Sequence, residues 1–218
     1  MQVFRFTRSH RQSFHVGARL VALVALCAGM AMRPAAAKTN WSAEELSILR
    51  GGTAIVSVTP ADGPADGHVR AAIDVPAPKS AVWAVLFDCA GAPAFMPSLQ
   101  SCTVMQQGPG GAWDVREHQV QWTSFLPNVR SVFRSEYVTE ESIVFSRVEG
   151  DLSYLEGAWR LEPLAGGKAT RIHYDARVGF SSLVPGFLVR NALLKDIPQF
   201  LGVIRQEVLR RGPGTAGR

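Results

Sequence analysis

Histidine is the side chain that titrates near neutral pH without help, so histidines are the first candidates for proton chemistry. Among the five in this chain, His118 stands in a period-two stretch, W-D-V-R-E-H-Q-V, whose side chains alternate between two faces. His118 shares a face with Arg116, Val120 and Trp122, and Glu117 shares the other with Trp113 and Val115. The spacing does not say which face is inward. Either His118 or Glu117 is the candidate general acid/base, with a tyrosine such as Tyr137 or Tyr174 to polarise a substrate oxygen. His173 falls on the polar phase of a later strand and His68 opens a strand beside a Gly-rich loop, both positions expected of surface histidines. Arg147, if turned inward, is a candidate to hold a carboxylate, phosphate or quinone oxygen; the alternative is an exposed cross-strand pair with Glu136. No Walker-type, dinucleotide-binding or H-E-x-x-H pattern occurs, and no metal-type Cys/His spacing, so neither metal nor cofactor is expected.

Aromatic residues give the stronger ligand signal. Trp83, Phe95, Trp122, Phe133, Tyr137, Phe145, Trp159, Tyr174 and Phe180 fall on segments that converge on one core. With Leu193, Ile197 and Phe200 on a late helix they are the candidate lining of a cavity, ordinary core packing being the alternative for each. Two connecting segments, S-F-L-P at 124–127 and L-V-P-G-F at 183–187, are apolar where polar residues are usual. Phe125, Leu126, Leu183 and Phe187 are therefore expected at the cavity mouth, with transient membrane contact during loading.

The elements that must position these groups are legible in outline. Ser42 and Glu45 form an S-x-x-E capping box that opens a short helix ended by Gly51-Gly52. Strands are expected at 53–59 and 68–75, then a helix over 79–88 and a short irregular helix broken by Pro93 and Pro97. From 101 the pattern is period two, with strands at 101–107, 112–123, 130–139, 142–148, 154–162 and 169–180 spaced closely enough for an antiparallel meander. In the last of these Ile172, Tyr174, Ala176, Val178 and Phe180 face one way and Arg171, His173, Asp175 and Arg177 the other. A helix over 185–211 carries a broad apolar stripe, interrupted by Pro198, where a kink is expected. The architecture is α+β: a curved antiparallel sheet wrapped around one long C-terminal helix, with room for a ligand between them.

The first 37 residues read as a signal peptide: Arg5, Arg8, Arg11 and Arg19 with no acid, an apolar run over 20–32 too short to span a bilayer, and Ala35-Ala36-Ala37 as a cleavage site. Export to a periplasm is the expectation. The signal holds five of the 23 Lys and Arg, which leaves 18 against 18 Asp and Glu, so the whole-chain charge of +5 does not point to nucleic acid. Cys89 and Cys102 remain in an oxidising compartment, either as a disulfide or as two separate buried thiols. Residues 38–67 then form an N-terminal extension, 68–211 the main domain, and 212–218 a disordered tail.

Four segments carry a resemblance to a known family: I-D-V-P-A-P-K-S-A-V-W at 73–83 with V-L-F-D at 85–88, F-M-P at 95–97 with Leu99, G-A-W-R-L-E-P at 157–163, and T-R-I-H-Y at 170–174 followed by the late helix with Ile197-Pro198. The chain resembles the helix-grip (START/Bet v 1-like, SRPBCC) superfamily, in its coenzyme-Q-binding, polyketide cyclase/dehydrase-like branch and exported bacterial form. The resemblance implies a cavity for a hydrophobic small molecule or lipid, quinone or polycyclic compound. It leaves three readings open: a carrier without catalysis, a small cyclase, dehydratase or isomerase using His118 or Glu117, and an interaction module whose cavity is filled by side chains.

Overall fold

The computed structural model describes residues 41–96, 98–121, 128–180 and 186–212; within the last segment the side chains of 186–189 and 192 are outside the description. The expected signal segment over 1–37 and the tail beyond 212 also lie outside the described residues. Eight strands form one antiparallel sheet: β1 Ile55–Thr59, β2 Gly67–Val75, β3 Leu99–Gln107, β4 Trp113–Val120, β5 Val129–Val138, β6 Ser142–Gly150, β7 Tyr154–Leu164 and β8 Ala169–Gly179. Their order is β1-β2-β8-β7-β6-β5-β4-β3, so β3 to β8 run as a meander and the two N-terminal strands extend it beyond β8. The helices are α1 Ala43–Arg50, α2 Lys79–Phe87, α3 Ala92–Phe95 and α4 Gly186–Arg211. Among the described residues no helix is long and apolar enough to cross a membrane.

Local chemistry accounts for several boundaries. Ser42 accepts from the Glu45 N–H at 3.1 Å and Glu45 returns a bond to the Ser42 N–H at 2.7 Å, which satisfies two backbone donors at the start of α1. Gly110 and Gly166 turn with φ of 62° and 65° in the β3–β4 and β7–β8 connections. α4 continues through Pro198, whose missing N–H leaves the Leu194 carbonyl without its helical donor.

The inner sheet face is set by the register. Ala71 pairs with Tyr174 and Ile73 with Ile172, while Trp159 and Leu161 oppose the same two residues from β7. Leu201, Ile204 and Val208 of α4 and Val82 and Val85 of α2 pack onto this surface, all at most 2 % exposed. The opposite face is not uniformly wet. Arg171 is buried there in a two-pronged pair with Asp74, directly across from it in register, at 2.7 and 2.9 Å. The pair is mutually satisfied, as a buried charge requires.

Candidate functional site

β4 decides the character of the interior. Asp114, Arg116, His118 and Val120 occupy its inner phase, opposite Ser135, Phe133, Ser131 and Val129 of β5. α4 passes over this stripe with Phe200, Val203 and Ile204, and the α2–α3 segment adds Leu86, Phe95 and Met96. Two adjoining spaces result. An inner chamber of about 90 Å³ lies among Phe95, Arg116, Phe133, Trp159 and Phe200, with Asp88 and the two cysteines also on its wall. An outer cleft of about 350 Å³ is lined by Leu99, Val120, Tyr174, Ile197 and Val203, together with the polar Ser98, Asp196 and Gln199. Met96, His118 and Phe200 belong to both.

The charges inside are already matched. Arg116 donates through Nε to both Asp114 oxygens at 3.0 and 2.9 Å and through its terminal nitrogen to the Phe87 carbonyl at 3.0 Å. Its guanidinium also lies over the Phe87 and Tyr137 rings. Burial, and then the Arg116 charge, bring the His118 pKa down to about 4, so its imidazole is neutral at neutral pH. The ring stands edge-on to Phe133 at 4.7 Å. Burial, and then the Asp175 carboxylate, push the Tyr174 hydroxyl up from its ordinary value, so it stays protonated. At the rim Arg211 joins Asp88 at 2.8 Å to Glu207 at 2.7 Å and ties the end of α4 to the end of α2. Cys89 and Cys102 form a disulfide with Cα atoms 5.3 Å apart, fastening the α2–α3 turn to β3 beside His118, the register partner of Cys102.

Several predicted residues come together on these walls. Phe95, Phe133, Trp159 and Phe200 line the chamber, and Tyr174, Ile197 and Phe200 line the cleft. Others pack nearby without lining either space. Trp83 and Tyr137 meet each other and Phe87 beneath α2. Phe145 and Phe180 belong to a second apolar cluster around Ala176 and Val178. Leu193 points toward Gly67 at the β1–β2 end. Trp122, Phe125, Leu126 and Leu183 lie outside the described residues, as does the side chain of Phe187 in α4.

Two expectations are corrected. Glu117 is on the outer face, bonded to Gln119 and Arg130, because the inner phase of β4 is that of His118. Arg147 does not reach the cavity: its exposed side chain turns to the backbone of the next turn and donates to the Leu152 and Gly150 carbonyls. Nor does it meet Glu136, which pairs with Arg134 at 3.2 Å on its own strand. His68 and His173 lie on the outer face against Asp175 and Glu162, at 2.9 and 2.8 Å. Besides Ser98, Asp196, Gln199 and Val203 of the cleft wall, sequence reasoning missed Asp114. Its signal was available, since 114, 116 and 118 alternate on one strand face, but a D-x-R pair reads equally well as a solvated edge.

An open, curved antiparallel sheet gripping a long C-terminal helix defines the α+β helix-grip class. The chain belongs to the polyketide cyclase / dehydrase and lipid transport family, whose model matches residues 75–203, and so to the START-like SRPBCC superfamily. Solved structures share the fold at low identity. A STAR-related lipid transfer protein from Xanthomonas axonopodis is 15% identical with a TM-score of 0.60, over 72% of this chain and 94% of that one. The Zhui aromatase/cyclase from Streptomyces sp. R1128 is 18% identical with a TM-score of 0.58, over 69% and 98%. A protein from Thermus thermophilus is 23% identical with a TM-score of 0.59, over 66% and 99%. No curated protein sequence matches significantly.

Proposed function

We propose that this chain is an exported, periplasmic binding or carrier protein for one hydrophobic small molecule or lipid, held between the sheet and α4. The observation that carries this reading is the lined space itself: a cleft of about 350 Å³ that shares Met96, His118 and Phe200 with a smaller neighbouring chamber, both with mostly apolar walls. That volume is near the lower end of the range of about 300–1,000 Å³ for small-molecule sites. The family description, which includes lipid transport, supports the same reading. Acid/base catalysis has less support. A histidine with a pKa of about 4 is a weak base at neutral pH, and Asp114, on the same strand face, is engaged by Arg116.

The signal peptide over residues 1–37 supports export, and intact mass of periplasmic protein should show a chain beginning near Lys38. The apolar segments 124–127 and 183–187 suit brief membrane contact. Phe125→Asp and Phe187→Asp should then weaken co-sedimentation with liposomes; unchanged co-sedimentation removes that part of the reading. For the function as a whole, native mass spectrometry of protein purified gently from the periplasm should show a bound hydrophobic molecule, lost from Val203→Trp. Recovery of apo protein alone, with no uptake from a lipid extract, would sink the carrier reading.

A further inference from the structure

Building on the carrier reading, we propose that the cleft selects ligands whose inserted end bears an uncharged oxygen, such as a ketone, ester, amide or hydroxyl, and disfavours carboxylates and phosphates. The inference rests on what the lining offers and what it lacks. Arg116 is the one cationic Arg or Lys among the described lining residues, and it is 6 % exposed, with its Nε on Asp114 and one terminal nitrogen on the Phe87 carbonyl. Asp114 is 1 % exposed, and its carboxylate offsets the Arg116 charge inside the protein. Asp88, on the chamber wall, is held by Arg211, and Asp196 adds a carboxylate to the outer cleft. An entering anion would lose its hydration and meet these acidic groups, with no free cation among the described lining residues to compensate.

The uncharged polar groups point the other way. His118, Tyr174, Gln199 and Ser98 stand on the wall of the outer cleft, and each can donate a hydrogen bond. They are set among apolar residues, the pattern that fixes the orientation of a mainly hydrophobic ligand through one or two polar atoms. His118, shared by both spaces, is the donor placed to meet an oxygen carried inward.

The test compares ligands matched in chain and different in head: oleyl alcohol, oleamide and oleic acid, each displacing the neutral dye nile red at pH 7.5. The alcohol and the amide should displace the dye at concentrations at least tenfold lower than the acid. His118→Leu, with each displacement corrected for that variant's own affinity for nile red, should weaken the alcohol and the amide about tenfold and leave the acid little changed, so that the gap closes. Asp114→Asn, which releases the Arg116 charge, should narrow the gap in favour of the acid; if that variant does not fold, the wild-type comparison decides alone. Oleic acid equal to or stronger than its neutral partners on the wild-type protein overturns the inference while leaving the carrier reading intact. Failure to bind nile red or any of the three ligands overturns the carrier reading, and the inference with it.

Discussion

Arg116 and Asp114 face the same interior from alternate positions of one strand, with the arginine Nε 2.9 and 3.0 Å from the two carboxylate oxygens. Two residues apart in a strand, their side chains leave the backbone on the same side. α2 and the neighbouring strand then close over them and exclude water, and the Phe87 carbonyl takes a further guanidinium N–H. The site is thereby given a polar floor with no net charge.

Removing one partner of this pair should be far more damaging than removing both. Arg116→Met or Asp114→Leu leaves an uncompensated buried charge and should lower unfolding stability by about 3–5 kcal/mol. The double variant Asp114→Leu/Arg116→Met should recover most of that loss. Urea unfolding midpoints across the four proteins measure it, and equal, additive losses would argue that the pair is not coupled.

Acid sensitivity should carry the mark of His118. Its folded-state pKa of about 4 lies below the ordinary 6.5, so between these values the unfolded chain holds a proton that the folded chain does not. This contribution to stability is complete above about pH 6.5 and declines as the pH falls toward 4, by at most about 3 kcal/mol. Glu207, held at about 2 chiefly by its bond to Arg210 and also by Arg211, adds a second loss only below about pH 4.5. Unfolding measured at pH 7 and pH 5 should therefore show a smaller drop in His118→Gln than in the wild type. An identical drop would mean that His118 does not lose hydration on folding.

The disulfide should contribute to stability without being needed for the sheet. Cys89 and Cys102 are 13 residues apart, and closing such a loop stabilises by about 3 kcal/mol in the chain-entropy description. Cys89→Ser/Cys102→Ser should fold, with a lower melting temperature that no longer responds to reductant. Because the bridge fastens the α2–α3 turn at the chamber wall, the variant should also bind nile red more weakly.

Gly157 should tolerate no side chain. A Cβ there would come within 2.4 Å of the Asp175 carbonyl oxygen and 2.7 Å of the Phe145 ring. The glycine lets the Phe145 ring lie over β7 and stack on Tyr174 at 6.2 Å, at the edge of the cleft. Gly157→Ala should cost about 1–3 kcal/mol in denaturant unfolding. The same change at Gly110, where an added Cβ meets nothing within 4 Å, should show only the milder penalty of its φ of 62°.

Much of the fold was legible because it is written in short-range patterns. The Ser42–Glu45 box, the period-two runs from β3 to β8 and the apolar stripe of α4 each follow from local spacing, and strand ends fell within a few residues. The site was legible only in part. Trp159, Tyr174, Ile197 and Phe200 are apolar or aromatic residues on faces that any fold of this kind would bury. Arg147 misled because its strand phase is that of Phe145, yet it stands near the strand end, where a long side chain can turn back to backbone carbonyls.

By itself, then, the sequence determined the order of elements, their periods, and that His118 and Glu117 must lie on opposite faces of one strand. Alternation is symmetric under exchange of those faces, so it holds no information about which of them is covered. The tertiary structure decided that, by laying α4, more than sixty residues further along the chain, over the face of β4 that carries Asp114, Arg116 and His118. The same packing paired the buried charges, left His118 neutral between two spaces, and turned Glu117 out to Arg130.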